Sequence, residues 1–213
     1  MISLKIKKLF GIAAICLCVT VMFSSCDPGK TELSPEETHK LCEQYLDDTA
    51  WLTFPYNGMN YRSLEDIVGY FQKNDTLLLC SYEITKAEGE PSVFENDDRT
   101  FINMTLTIKD VYIGDSSVKG KEIYFKANQE SKEVSHLVGK KYVGFIDGVK
   151  QENLIFYTPW MFLITDDDTL VSPFGCPVEN EEEVAKGNLS VDSRSYTGQK
   201  LDYFIAKVKE AGE

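Results

Sequence analysis

Residues 102–113 read INMTLTIKDVYI and decide the fold class of this chain. The first seven of them alternate apolar residues with asparagine or threonine, which is the period of a β-strand with one buried face. At Asp110 the alternation slips by one place, so that Val111 and Ile113 take the apolar positions. A one-residue slip inside a long strand predicts a β-bulge, and a bulge bends a strand as a small barrel requires.

Strand and helix patterns extend outward from this stretch. Further strands are predicted at residues 76–84, 122–127, 141–146, 154–157 and 161–165, with a shorter one near Leu170. Helices are predicted over roughly 35–48, with Ser34 as cap and Glu37 three residues later, from Ser63 onward, and over about 198–210, with Thr197 as cap. This order predicts an α+β fold around a small antiparallel barrel or a curled sheet.

The first 25 residues have the features of a secretory signal. Lys5, Lys7 and Lys8 give a basic start, and no acid precedes Asp27. An apolar run of about 15 residues follows, and as a helix it spans about 22 Å, which is short of the roughly 30 Å hydrocarbon core of a bilayer. We therefore expect residues 1–25 to be a signal peptide and not a stable membrane span.

This segment ends in Phe23-Ser24-Ser25-Cys26. The motif resembles the lipobox of bacterial lipoproteins, in which a bulky apolar residue and two small residues precede a cysteine. Phe23 stands where that family usually has leucine, a departure that Bacteroides-type lipoproteins tolerate. The resemblance implies cleavage between Ser25 and Cys26, a diacylglyceryl group on the Cys26 thiol and acylation of the new amine. The alternative is an ordinary signal peptide followed by an incidental cysteine.

The mature chain that this cleavage predicts has 188 residues, which suits one domain. We expect a lipidated tether at 26–33, a helical N-terminal segment at 34–75 and a β-barrel domain with a C-terminal helix at 76–213. Losing three lysines and no acids changes the formal net charge from −12 to −15. Nucleic acid and anionic headgroups repel such a chain, so we expect no nucleic-acid partner and membrane attachment only through acyl chains on Cys26.

Three cysteines remain once Cys26 is acylated, namely Cys42, Cys80 and Cys176. The cell envelope permits disulfides, and three cysteines form at most one bridge and leave at least one thiol free. Which two of them pair stays open. With no Cys-x-x-Cys in the mature chain, we expect neither a disulfide scaffold nor a metal cluster.

Five short segments carry a second resemblance: IKDV (108–111), VKGK (118–121), GKKYVGF (139–145), YTPW (157–160) and LDYF (201–204). Together they resemble small envelope proteins with an OB-type barrel of the netrin or tissue-inhibitor kind, over about residues 76–208. The resemblance implies a small antiparallel OB-like β-barrel with two N-terminal helices and a C-terminal helix. It also implies protein binding, including metalloproteinase inhibition. Those inhibitors chelate zinc with a free N-terminal cysteine, however, and acylated Cys26 is a poor ligand.

Few residues point to catalysis or metal binding. His39 and His136 lack any metal-ligand spacing, and we interpret them as solvated. Cys176 would need one of these histidines as a base to act as a nucleophile, so we expect no catalytic residue and no cofactor. Residues 166–168 are three aspartates between two predicted strands, and they lack the calcium-loop pattern, which favours a hairpin turn.

Two further patterns point to surface features. Trp160, Tyr157 and Trp51 are candidates for an aromatic surface that binds a glycan or a protein, with core and loop packing as the competing interpretation. Thr49, Thr76 and Thr169 each follow an aspartate and precede alanine or leucine. These triplets resemble the O-glycosylated sites of secreted Bacteroides-type proteins, and the alternative is that they are turns at strand edges.

The predicted anchor and the lack of a recognisable catalytic motif favour a lipoprotein of the bacterial cell envelope that is not an enzyme. We expect it in the outer membrane, on the periplasmic or the surface face, with a protein or glycan partner. A protease inhibitor or an enzyme that uses the barrel loops is the first alternative. A structural or assembly lipoprotein without a ligand is the second.

Overall fold

A computed structural model describes residues 27, 29–45, 52–53, 63–91, 100–129, 137–147, 155–173 and 195–213. Thr31–Glu213 form one compact unit. Its elements are α1 (Pro35–Tyr45), β1 (Leu52–Thr53), α2 (Leu64–Lys73), β2 (Leu79–Pro91), β3 (Thr100–Ile113), a 3₁₀ turn (Ser116–Val118), β4 (Glu122–Gln129), β5 (Lys141–Asp147), β6 (Ile155–Ile164), β7 (Leu170–Val171) and α3 (Leu201–Ala211). Within the described residues, no helix combines the length and the apolar character that crossing a membrane requires.

The strands form an open antiparallel sheet in the order β1-β4-β3-β2-β5-β6-β7. The predicted α+β class, with two helices before the long strands and one after them, is confirmed. The sheet does not close into the expected barrel. At one end, residues 198–200 bond to Thr169 and Leu170 along β7, in the place of a further strand. At the other end, β1 pairs with the end of β4, and no ladder joins the two ends within the described part of the chain.

The pairing of β2 with β3 contains the predicted bulge. Tyr82 pairs with Ile108 and Ser81 pairs with Asp110, so Lys109 is an extra residue on β3. Two further register shifts occur in the same ladder. Bulges bend and twist a strand pair. The sheet curls so far that Cα atoms of β4 and β6 come within 8 Å of each other, although three strands lie between them in the sheet.

The concave side of the curled sheet encloses one hydrophobic core, which we call the inner core. Ile123 of β4 and Met161 of β6 belong to the same buried cluster, so the two strands curl toward each other on this side. Tyr82 and Tyr142 stack there with ring centroids 6.0 Å apart, and α1 adds the buried Cys42. The other buried members are Leu78, Cys80, Ile84, Met104, Leu106, Ile108, Val118, Leu137, Ile146, Leu163 and Val171.

Helices α2 and α3 cover the opposite side of the sheet over β5, β6 and β7. Phe145 of β5 stacks on Phe71 of α2 with ring centroids 5.6 Å apart. Phe162 of β6 meets Phe204 of α3 edge-on at 5.0 Å. All four rings are completely buried. The helices and this side of the sheet enclose a second hydrophobic core. Strand β5 is therefore buried on both sides, because Tyr142 belongs to the inner core and its neighbour Val143 belongs to the second core.

The first two helices begin where their capping signals predict. The Ser34 Oγ accepts a hydrogen bond from the Glu37 N–H at 3.3 Å, and a Glu37 carboxylate oxygen accepts one from the Ser34 N–H at 2.8 Å. The Ser63 Oγ caps α2 in the same way. The prediction that Thr197 caps α3 is wrong. Its hydroxyl accepts a hydrogen bond from the Ser172 N–H at 3.1 Å instead, which ties the loop before α3 to the end of β7.

The two strands predicted between residues 154 and 165 are one continuous strand. Gly144 pairs with Met161, whereas the next residue of β5 pairs with Tyr157, so β6 carries three extra residues at this point. This irregularity accommodates Pro159, which has no N–H to donate to a regular ladder. The interruption in the sequence pattern is therefore a bulge inside a strand and not a turn between two strands.

The cysteines within the described residues have different states. Cys42 takes part in a disulfide, whereas Cys80 is a free thiol in the inner core. Burial raises the pKa of the Cys80 thiol to about 12. This thiol therefore stays protonated and unreactive at neutral pH. Cys176 lies outside the described residues.

Candidate functional site

Helices α2 and α3 cover one side of the sheet over β5–β7 and over the start of β2, where Leu79 is buried with them. Over the rest of β2, over most of β3 and over β4 the same side is uncovered, as far as the described residues extend. Register fixes which side chains share this area, because residues directly opposite each other in a ladder lie on the same face. Lys86, Thr105 and Tyr124 form one row across the three strands, and Glu83, Thr107 and Glu122 form the next. We call these six residues the open face.

Tyr124 is the most exposed large hydrophobic residue that the structure describes, with 65% of its surface accessible. Its neighbour Ile123 points into the inner core, so strand alternation directs Tyr124 outward. Thr105 and Thr107, both half-buried, lie beside it on β3. A tyrosine in this setting provides a large rigid ring with a polar tip, which is the kind of side chain that binding surfaces use as an anchor.

A network of ion pairs borders the open face. The Lys109 ammonium lies 2.6 Å from the Glu83 carboxylate. The Asp110 carboxylate receives Lys119 at 2.8 Å and Lys141 at 3.8 Å. The hydrogen bond from Lys119 lowers the pKa of Asp110 below its ordinary value. Both signs of charge therefore lie along the strands of the open face, with Glu83 inside it and Asp110 three residues from Thr107 on β3, an arrangement that suits directional polar recognition.

The structure corrects the expectation that Trp160 belongs to a binding surface. Trp160 is completely buried. Its ring lies edge-on to Phe162 and Tyr196, at 6.4 and 5.8 Å between centroids. The reason is strand alternation, which places Trp160 on the side of β6 that the helices cover. The side chains of the other two candidates, Tyr157 and Trp51, lie outside the described residues.

Tyr124 is the functional candidate that the sequence interpretation missed, although a signal for it was present. Residues 122–127 were predicted as a strand, and they read EIYFKA. An inward Ile123 in such a strand requires an outward Tyr124. The signal is weak, because a second layer often covers the outward side of a strand, and only the tertiary structure reveals where the helices stop.

The three aspartates at 166–168 form the hairpin turn that was predicted between β6 and β7. The Asp167 carboxylate accepts hydrogen bonds from the Thr165 hydroxyl at 2.6 Å, the Thr169 hydroxyl at 3.0 Å and the Lys200 ammonium at 2.8 Å. Lys200 in particular holds the pKa of Asp167 well below its usual range. Asp168 adopts a positive φ of 60°, which closes the turn. The Asp167 carboxylate is thus already hydrogen-bonded by side chains of the protein itself.

The hydroxyls of two predicted O-glycosylation sites are enclosed by the protein. Thr169 is 8% exposed, and its hydroxyl donates to Asp167 and accepts from Lys200. The Thr76 hydroxyl oxygen is buried. A sugar needs open space around the oxygen that carries it, so the conformation of these two hydroxyls disfavours a glycan on either residue. The alternative interpretation, turns at strand edges, describes both sites. Thr49 lies outside the described residues.

The remaining polar candidates do not come together in the described residues. His39 lies on the exposed side of α1, 3.2 Å from Glu43. No group of three or more His, Cys, Asp or Glu side chains within the described part of the chain is arranged to hold a metal ion. Ser25, Cys26, His136 and Cys176 lie outside it. Comparisons of the chain with protein-family models, with curated proteins and with solved structures give no match.

The Asp167 hydrogen bonds predict a pH-dependent contribution to stability. We expect Asp167→Asn to lower the free energy of unfolding at pH 7 by about 1 kcal/mol, a modest value because the carboxylate is largely exposed. A carboxylate with a lowered folded-state pKa stabilises the fold above its unfolded pKa and loses that effect as the pH falls. The difference between wild type and variant should therefore shrink below about pH 4.

Urea unfolding of both proteins between pH 7 and pH 2.5 measures this difference. Asp166→Asn, at the exposed neighbouring position, is the matched control and should change stability by less than about 0.5 kcal/mol. Equal effects of the two substitutions at pH 7 would contradict the assigned role of Asp167.

Proposed function

We propose that this chain is a lipid-anchored lipoprotein of the bacterial cell envelope whose folded domain binds a protein or a glycan. The acyl chains are attached to Cys26 after residues 1–25 have been removed by cleavage between Ser25 and Cys26. The domain works by binding and not by catalysis, and the open face around Tyr124 is the contact surface. We place the protein in the outer membrane, on its periplasmic or surface face.

The exposed Tyr124 is the observation that carries the binding part of this proposal. The buried aromatic residues of the described strands pack in the two cores, whereas Tyr124 stands on an area that the described helices leave open, beside threonines and one row from the Glu83–Lys109 ion pair. Tyrosine buries a large area at little cost in side-chain entropy, so it is favoured at protein and glycan contacts. The mature net charge of −15 supports a partner other than nucleic acid.

We further propose that the curled sheet is an opened relative of the OB-type barrel. Support comes from its bulged central ladder and from the approach of β4 to β6 within 8 Å. A protease inhibitor or an enzyme that uses the loops remains the alternative function. It predicts that activity depends on loop residues and is insensitive to Tyr124.

Metabolic labelling tests the anchor. We expect labelled palmitate to enter the wild-type protein and not the Cys26→Ser variant, which should leave the membrane fraction after a high-salt wash, because only the acyl chains hold it there. Ser24→Ala retains the cysteine and a small residue before it, so it serves as the matched control and should label as wild type. Absence of label, together with unchanged membrane association of Cys26→Ser, would contradict the anchor.

Site-specific photocrosslinking tests the open face. A benzoylphenylalanine at position 124 should give a light-dependent adduct in native membranes, or the purified protein should bind an arrayed glycan. For the ligand so identified, Tyr124→Ala should weaken binding by about tenfold or more, the range of an interface anchor. Glu65, exposed on α2, is the control position for both the crosslinker and the alanine variant.

The crosslinking experiment separates the two candidate functions. A ligand that binds Tyr124→Ala as tightly as wild type would remove the open face from the proposal. Recovery of no ligand by either route would count against a binding module.

A further inference from the structure

A buried glutamine holds the start of the folded unit. The Thr31 N–H donates to the Gln199 Oε1 at 2.9 Å, and the Gln199 Nε2 donates to the Thr31 carbonyl at 2.7 Å. One side-chain amide thus satisfies both backbone groups of Thr31, as a neighbouring strand would. Gln199 is only 5% exposed, so both bonds are largely shielded from competing water.

The glycine before it completes this contact. Gly198 has a φ of +88°, a left-handed conformation that disfavours residues with a Cβ. A Cβ at this position would also meet the tip of the Leu33 side chain, which would have to move. The backbone conformation therefore calls for glycine where the chain at residues 31–33 lies against it.

The contact is also fixed to the sheet. The Leu170 N–H donates to the Gln199 carbonyl, and the Gly198 N–H donates to the Leu170 carbonyl, each at 2.8 Å. Thr197 receives the Ser172 N–H at 3.1 Å. Residues 197–199 thus extend β7 sideways, and they carry the chain at Thr31 on their outer edge. We call residues 197–199 the seat.

We infer that the seat is a device that shortens the membrane tether. This inference rests on the proposed acylation of Cys26. The sequence predicts a tether over residues 26–33, but residues 31–33 belong to the folded unit. The stretch from Cys26 to Thr31 is five residues and spans at most about 18 Å, against about 28 Å for the eight residues from Cys26 to Ser34.

A shorter tether changes how the domain meets its partner. It confines the domain to a thin layer next to the bilayer and limits the orientations that it samples. The open face is then presented at a restricted height above the membrane. The partner that fits this device is a ligand that itself lies close to the same bilayer.

Trypsin cleavage after Lys30 tests the seat in the full mature protein. Lys30 is exposed, and cleavage of the Lys30–Thr31 bond requires Thr31 to leave Gln199. We expect Gln199→Ala to speed this cleavage by roughly ten- to thirtyfold, the effect of losing two hydrogen bonds. Gln72→Ala is the matched control. It also removes a hydrogen bond from a side-chain amide to a distant backbone carbonyl, that of Gly212 at 2.6 Å.

A second variant protects the test against loss of folding. Gln199→Glu places a carboxylate oxygen against the Thr31 carbonyl in a site that is only 5% exposed, so it should be cleaved at least as fast as Gln199→Ala. Thermal unfolding monitored by circular dichroism confirms that each variant is folded at the assay temperature. Equal cleavage rates in wild type and both Gln199 variants would overturn the seat.

Reconstituted vesicles with dansyl-labelled headgroups test the tether length itself. Energy transfer from tryptophan to dansyl should fall in Gln199→Ala and stay unchanged in Gln72→Ala, because the released domain moves farther from the bilayer. Unchanged transfer in Gln199→Ala would overturn the shortened tether. If Cys26 carries no lipid, no variant floats with the vesicles while the trypsin difference persists, so failure of the anchor is recognised separately.

Discussion

The register of β3 against β2 is the constraint on which the rest of the structure depends. Side chains alternate between the two sides of a strand, so a slip of one residue exchanges core and solvent residues. The extra residue at Lys109 places Ile108 inside beside Tyr82, and it places Asp110 outside beside Ser81. The same bulge bends the ladder, which lets β4 and β6 approach around the inner core. This irregularity thus sets which residues of β3 enter the core, and together with the two other register shifts of the ladder it bends the sheet.

Curvature in turn divides the outer side of the sheet into two unequal parts. Helices α2 and α3 find their aromatic partners on β5 and β6, where Phe145 and Phe162 are completely buried. Over β2, β3 and β4 the same side carries threonines, charges and Tyr124. A domain built in this way can present a polar surface while its core residues stay buried.

Local signals in the sequence predicted what local physics controls. The Ser34 and Ser63 caps, the alternation of β3 and its bulge depend on residues a few positions apart. Trp160 and the unclosed edge of β7 depend on which distant segment arrives to cover them, and no pattern inside β6 or β7 contains that information. Thr197 illustrates the same limit, because its hydroxyl serves Ser172, 25 residues away, in preference to the adjacent helix.

A direct measurement tests whether the part of the outer sheet surface that the described helices leave open is accessible to solvent. A soluble paramagnetic agent broadens the NMR signals of exposed side chains. We expect strong broadening of the Tyr124 ring and of the Thr105 and Thr107 methyl groups, with sharp signals from Val143 and Phe145 on the same side of the sheet. Protection of Tyr124 to the level of Phe145 would contradict this expectation, because an unrecognised layer would then cover the face proposed to bind.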